Sequence, residues 1–239
     1  MFCLFIYLFL SFLFMAASPA NQDVPLQVNG LQKQSVCLKI YLDLTVPVLE
    51  VLWLFKTKEK NVRLAYFRKP HFEIRILQFH NRLEPLDSGT TLRISDLRME
   101  DSGIYTAAIT YTDEETKRLT FNLTVYEPVP TPDIKMEMEQ ISPDWCNFTL
   151  HCSAPTNPSA LSYSWMYRHK GRYQPYPNGT TIRVSLQPES WDGEYLCLVQ
   201  NPADQNNASI APREFCPHTS LTKGINGGYN SRAMLVSYL

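Results

Sequence analysis

Three short runs in the second half decide the fold: NFTLHC (147–152), LSYSWMY (161–167) and GEYLCLV (193–199). Cys152 closes the first run and Trp165 follows thirteen residues later. Cys197 comes thirty-two residues after that, with Tyr195 two places before it. NFTLHC alternates polar and apolar residues with period two, the signature of a strand buried on one face. Similar runs recur along the whole chain with turn residues between them, and no amphipathic helix of useful length interrupts them. That pattern predicts an all-β sandwich.

Cys, Trp and Tyr-x-Cys at this spacing form the immunoglobulin signature, in which the tryptophan packs on an inter-sheet bridge and the tyrosine turns a corner. The first half repeats the frame without the bridge. Trp53 in LEVLWLFK is the matching tryptophan, and LRMEDSGIYTA (97–107) carries the corner residues Asp101, Gly103 and Tyr105. The two cysteine places fall on Ile40 and Ala107, so packing must replace a bond whose loss typically costs ~2–5 kcal/mol. Trp53 and Ala107 are 54 residues apart, against 32 between Trp165 and Cys197. The excess accommodates two additional strands, with VRLAYF (62–67) and EIRILQF (73–79) as candidates. The expected architecture is two tandem sandwiches: a variable-type domain over 21–126 and a constant-2-like domain over 133–216. The joint at 127–132 carries Pro128, Pro130 and Pro132, which favour an extended, semi-rigid connector. Arg82 and Asp101 are read as a structural pair closing the bottom of the first sandwich, not as a site.

Residues 2–15 are apolar apart from Ser11, and small residues follow at Ala16, Ala17, Ser18 and Ala20. This reads as a secretory signal over 1–20. As a helix it would rise only about 21 Å, short of the ~30 Å membrane core. The tail, 217–239, holds no stretch long enough to span a bilayer, so the expected product is extracellular and secreted. With 22 basic and 23 acidic residues, divided 14 to 13 and 8 to 10 at residue 126, neither half has the basic excess a nucleic acid would require.

Five cysteines remain after the signal, an odd number in an oxidising route. Alternation in SVCLKI turns Val36, Leu38 and Ile40 inward and Cys37 outward, so Cys37 is expected to find no partner within the chain. The other four allow three pairings. Only Cys152–Cys197 with Cys146–Cys216 uses the immunoglobulin core bridge. Sequons at Asn122, Asn147, Asn178 and Asn207 mark candidate N-glycosylation sites, whereas Asn157 and Asn201 precede proline and are excluded.

The stretches LRISDLRMEDSGIYTA (92–107), LTVYEPVPTPDIKM (123–136), CNFTLHC (146–152), YSW (163–165), YLCLVQNP (195–202) and the closing Cys216 resemble the SLAM family of leukocyte receptors. The resemblance covers nearly everything from about 24 to 216. It implies an adhesion and recognition role between immune cells, with the same protein or another SLAM-family ectodomain on an opposing leukocyte as partner. Most members continue into a membrane helix or lipid anchor, and signalling members carry cytoplasmic Thr-x-Tyr-x-x-Val/Ile motifs. The tail here contains neither, which leaves a soluble antagonist, a short isoform or mimic, as the alternative role.

The chemistry points to binding and not to catalysis. The five histidines form no His-x-x-x-His pair, and neither a Gly-x-Ser-x-Gly elbow nor a phosphate-binding glycine loop is present. No enzyme activity, small-molecule substrate, cofactor or metal is expected. Adhesion domains of this class commonly use the sheet of strands G, F, C and C′, and the family resemblance implies the same face. Alternation around Trp53 and Tyr105 turns Leu54, Lys56, Thr106, Ala108, Thr110, Arg118 and Thr120 outward on it. The turn TDEETKR adds Asp113, Glu114, Glu115 and Lys117; the turn KTKEKNVR adds Lys58, Lys60 and Arg63. These two turns are expected to lie side by side at the distal end of the sheet. A glycan on Asn122 would then shield the end nearer the joint.

Overall fold

The computed structural model describes residues 24–41, 46–57, 60–142, 144–155 and 161–216. The signal, the tail and Lys58 lie outside the described residues. In the first half, nine strands form two sheets: β1 (Leu26–Leu31), β2 (Val36–Lys39), β3 (Val48–Lys56), β4 (Asn61–Arg68), β5 (His71–Ile74), β6 (Leu83–Leu86), β7 (Thr91–Ile94), β8 (Gly103–Tyr111) and β9 (Thr116–Tyr126). One sheet runs in the order β1-β9-β8-β3-β4-β5 and the other β2-β7-β6. Of the two candidate additional strands, VRLAYF lies within β4. EIRILQF departs from its expectation: β5 stops at Ile74, and Leu77–Phe79 form a 3-10 turn that drops Phe79 into the core. Burying that ring does more for stability than continuing an edge strand, since full burial of a Phe is worth about 1.5–3 kcal/mol.

The unbridged core is closed by packing. Trp53 lies directly across from Ala107 on β8, just as Trp165 lies across from Cys197 in the second domain. Ala107 is fully buried and Ile40 is 5% exposed, so the two places that would hold a bridge hold apolar contacts. The Trp53 indole donates to the Gly89 carbonyl at 3.2 Å and its ring stands 5.8 Å from Phe121. Gly89 has φ +82°, and a β-carbon there would come within 2.4 Å of the Phe67 ring, so no other residue fits. At the bottom of the sandwich Arg82 grips Asp101 with both Nη atoms, at 2.7 and 2.9 Å. Tyr105 donates its hydroxyl to the Asp101 carbonyl at 2.6 Å, and burial pushes its phenol far up, so it stays a donor.

The second half builds β10 (Asp133–Ile141), β11 (Cys146–Ser153), β12 (Ser162–His169), β13 (Arg172–Tyr176), β14 (Thr181–Leu186), β15 (Glu194–Gln200) and β16 (Gln205–Ile210). The sheets are β10-β11-β14 and β13-β12-β15-β16. Cys152 is bonded to Cys197 and Cys146 to Cys216, with Cα separations of 6.4 and 5.9 Å. Trp165, Tyr195 and Phe148 fill the space around them. Cys37 differs from its expectation, because it too is disulfide-bonded. Alternation sets the direction in which a side chain leaves its strand, but not what reaches it there.

The joint is tied to the second domain. Val129 is 4% exposed within that domain's core. Its N–H donates to Asp204 at 2.9 Å and its carbonyl accepts from Asn206 at 3.2 Å, while Asn201 donates to the Glu127 carbonyl at 2.9 Å. The joint from Glu127 to Val129 is thereby held by side chains of the second domain. Asp204→Ala should widen the distribution of interdomain angles without unfolding either domain. Small-angle scattering checks this, and a profile identical to that of the parent chain would refute the clamp.

Candidate recognition face

The outer face of the sheet β9-β8-β3-β4 is set by cross-strand register. One row runs Asn122, Ile104, Lys56, Asn61; the next runs Thr120, Thr106, Leu54, Arg63; a third runs Arg118, Ala108, Leu52, Tyr66. Thr116, Thr110 and Glu50 form a fourth. The centre is therefore apolar and small, built from Leu52, Leu54, Ala108 and the methyls of Thr106 and Thr120. The two threonine hydroxyls face each other at 3.4 Å.

The expected placement of the turns is overturned. β3 and β9 run the same way, each antiparallel to β8, so β3 ends at Lys56 level with Ile104, while the turn carrying Asp113, Glu114 and Glu115 follows Tyr111. Seven residues of strand, about 23 Å, separate the two ends. The acidic turn is distal, whereas Lys56 and Lys60 lie at the joint end, in or beyond the row of Asn122. A glycan on Asn122 would stand beside Lys56, not away from it. Lys117 also departs from its expected place: it pairs with Ile109, shares that residue's inward parity, and sets its ammonium over the Tyr111 ring at 5.5 Å. Lys56 and Arg118 are exposed, and Thr106, Ala108 and Thr110 are half-buried on the outer face.

Several residues of this face escape the sequence-based set, among them Glu50, Leu52, Tyr66 and Arg68. Glu50 and Leu52 share the parity of Leu54 and were legible in LEVLWLFK. Tyr66 and Arg68 were not. Between Trp53 and Leu54 the pairing skips one residue, and Leu64 and Ala65 are both buried. That bulge resets the alternation, so Tyr66 faces outward where strict period two from Arg63 would turn it in.

The sequons divide into two kinds. Asn178 and Asn207 are exposed. Asn122 and Asn147 are half-buried, and their amides already bond Gln27 (2.9 Å) and the Ser185 hydroxyl. Among the described residues no cluster of His, Cys, Asp and Glu could hold a metal ion, and no helix is long and apolar enough to cross a membrane.

A bridged sandwich joined to an unbridged one is the architecture of two tandem immunoglobulin-like domains. The immunoglobulin V-set domain family matches residues 23–126. SLAM family member 5 of Homo sapiens is 29% identical over 196 residues, covering 81% of this chain and 55% of that protein. T-lymphocyte surface antigen Ly-9 of Homo sapiens is 30% identical over 220 residues, covering 90% of this chain and 33% of that protein. The chain carries a V-set domain and is homologous to the SLAM family. It spans between a third and three-fifths of the length of the curated relatives it matches most strongly. Among solved structures, murine CEACAM1b aligns with TM-score 0.53 at 18% identity, over 77% of this chain and 94% of that one, a likeness of fold alone. The homologues are immunoglobulin-superfamily receptors, not enzymes.

Proposed function

We propose that the outer β9-β8-β3-β4 face of the first domain is an extracellular recognition surface. It binds a second copy of this chain, or a related immunoglobulin-superfamily ectodomain, on an opposing immune cell. The observation that carries this reading is the charge layout. Acids sit at the distal turn, bases at the joint end, and a small apolar strip lies between. When two such faces meet antiparallel about a two-fold axis, the acidic end of each falls on the basic end of the other. A surface whose charges were side by side would not complement itself in this register. Charge of this kind governs encounter rate and register more than final affinity, which suits a weak contact of modest area.

The test is a charge exchange measured by surface binding to immobilised parent chain. Lys60→Glu alone and Glu115→Lys alone should each weaken binding several-fold and flatten its salt dependence. The doubly reversed chain should bind another doubly reversed chain about as well as parent binds parent. Lys135→Glu, on the exposed face of β10 in the second domain, should change nothing. Arg93 would be a poor control, because its side chain is only 17% exposed and pairs with Glu84. If the doubly reversed chains fail to bind each other, the antiparallel self-contact is wrong.

A further inference from the structure

The outer face carries an internally satisfied aromatic group on β4, at the end of the row Arg118, Ala108, Leu52. Tyr66 points outward from β4 only because of the bulge at Leu64–Ala65. Its hydroxyl donates to Glu50 Oε2 at 2.6 Å, and Arg68 Nη1 stands 3.8 Å from the same oxygen. The Glu50 side chain is 29% exposed, so the pair is partly desolvated in the free protein. The hydrogen bond to Glu50, followed by burial, raises the phenol above its ordinary range, so the hydroxyl remains a donor at physiological pH. Leu52, Ala108 and Arg118 complete the row across the sheet.

A tyrosine held in this way supplies a large contact area from a side chain with few rotatable bonds. Because its hydroxyl is already bonded within its own chain, covering the ring with a partner strands no polar group. Leu52 stands next to it in the row and small Ala108 beyond that, which leaves room across the face for a protruding side chain from the other surface. Tyrosine and arginine flanking a strip of smaller apolar residues have the composition of an energetic hot spot.

Resting on the face proposed above, we propose that Tyr66 is the anchor of this surface for a second copy of the chain and that Glu50 is the residue that positions it. Soluble variants are passed over immobilised parent chain, with their thermal unfolding followed in parallel. Tyr66→Ala should bind about tenfold more weakly or worse. Glu50→Ala should weaken binding several-fold, and Glu50→Gln, which still accepts the Tyr66 hydroxyl, should recover most of that loss. All three should melt with the parent chain. Should Tyr66→Ala fail to fold, the two Glu50 variants decide alone. A Glu50→Gln chain as weak as Glu50→Ala would overturn the positioning role. Unchanged binding by Tyr66→Ala, with Arg118→Glu weakened, would overturn the anchor while leaving the face in place. Unchanged binding by both Tyr66→Ala and Arg118→Glu would overturn the face itself.

Discussion

Replacing Asp101 with alanine should destabilise the first domain by about 3–5 kcal/mol, the usual result of stripping one partner from a buried ion pair. Asp101 is fully buried and Arg82 is 7% exposed, so water cannot take the carboxylate's place. The substitution removes both bonds to Arg82 and also the one that Asp101 accepts from the Arg98 backbone at 2.9 Å. Arg82 keeps its bonds to the carbonyls of Gln78 and Asp96, which hold it in place with its charge uncompensated. For a domain near 100 residues each kcal/mol moves the midpoint by roughly 4–8 °C, so the first unfolding transition should fall by well over 10 °C. The double replacement Arg82→Met with Asp101→Leu should be milder than Asp101→Ala, because an apolar pair leaves no stranded charge. Scanning calorimetry reads both results. A midpoint for Asp101→Ala within a degree or two of the parent would show that the pair carries little.

Replacing both Cys152 and Cys197 with alanine should produce the opposite pattern, a loss confined to the second domain. The bridge spans 45 residues. The chain-entropy relation for a loop of that length gives about 4 kcal/mol. Removing the two sulfurs also opens space against Trp165, which is 1% exposed. Among its described residues the first domain has no such bond between its sheets, and Trp53 there packs on Ala107, so its transition should hold its position. Two calorimetric transitions should therefore separate in the variant. A single transition shifted as a whole would mean that the two halves unfold as one cooperative unit, contrary to their separate cores.

Measured against these energetics, the legible part of the molecule is the part governed by local periodicity. Cys152, Trp165, Tyr195 and Cys197 declare their places by spacing alone, because the immunoglobulin core requires those residue types at those strand positions. Trp53 and Tyr105 do the same in the first half. The parity of β3, β8 and β9 also follows from sequence, since each keeps period two through its central residues; Leu54, Lys56, Thr106, Ala108, Thr110 and Arg118 all lie on the outer face for that reason.

Where alternation breaks, or where the question concerns direction and reach, only the tertiary structure decides. The bulge in β4 turns Tyr66 and Arg68 outward, and no residue pattern in VRLAYF announces it. Lys117 sits by sequence in a turn, yet the turn closes early at Glu115 and strand pairing carries Lys117 to the inward parity. The placement of the acidic and basic turns at opposite ends depends on the antiparallel order of β3, β8 and β9, a property of the sheet and not of either segment. Cys37 shows the same limit, for period two gives the outward direction of its side chain while its bonding depends on the three-dimensional path of the chain. Composition and spacing determine that this protein is a pair of β-sandwiches with a bridged core in the second. Which residues share the outer face, and which end of it carries which charge, is settled only when the strands pair, because register and strand direction are relations between distant segments.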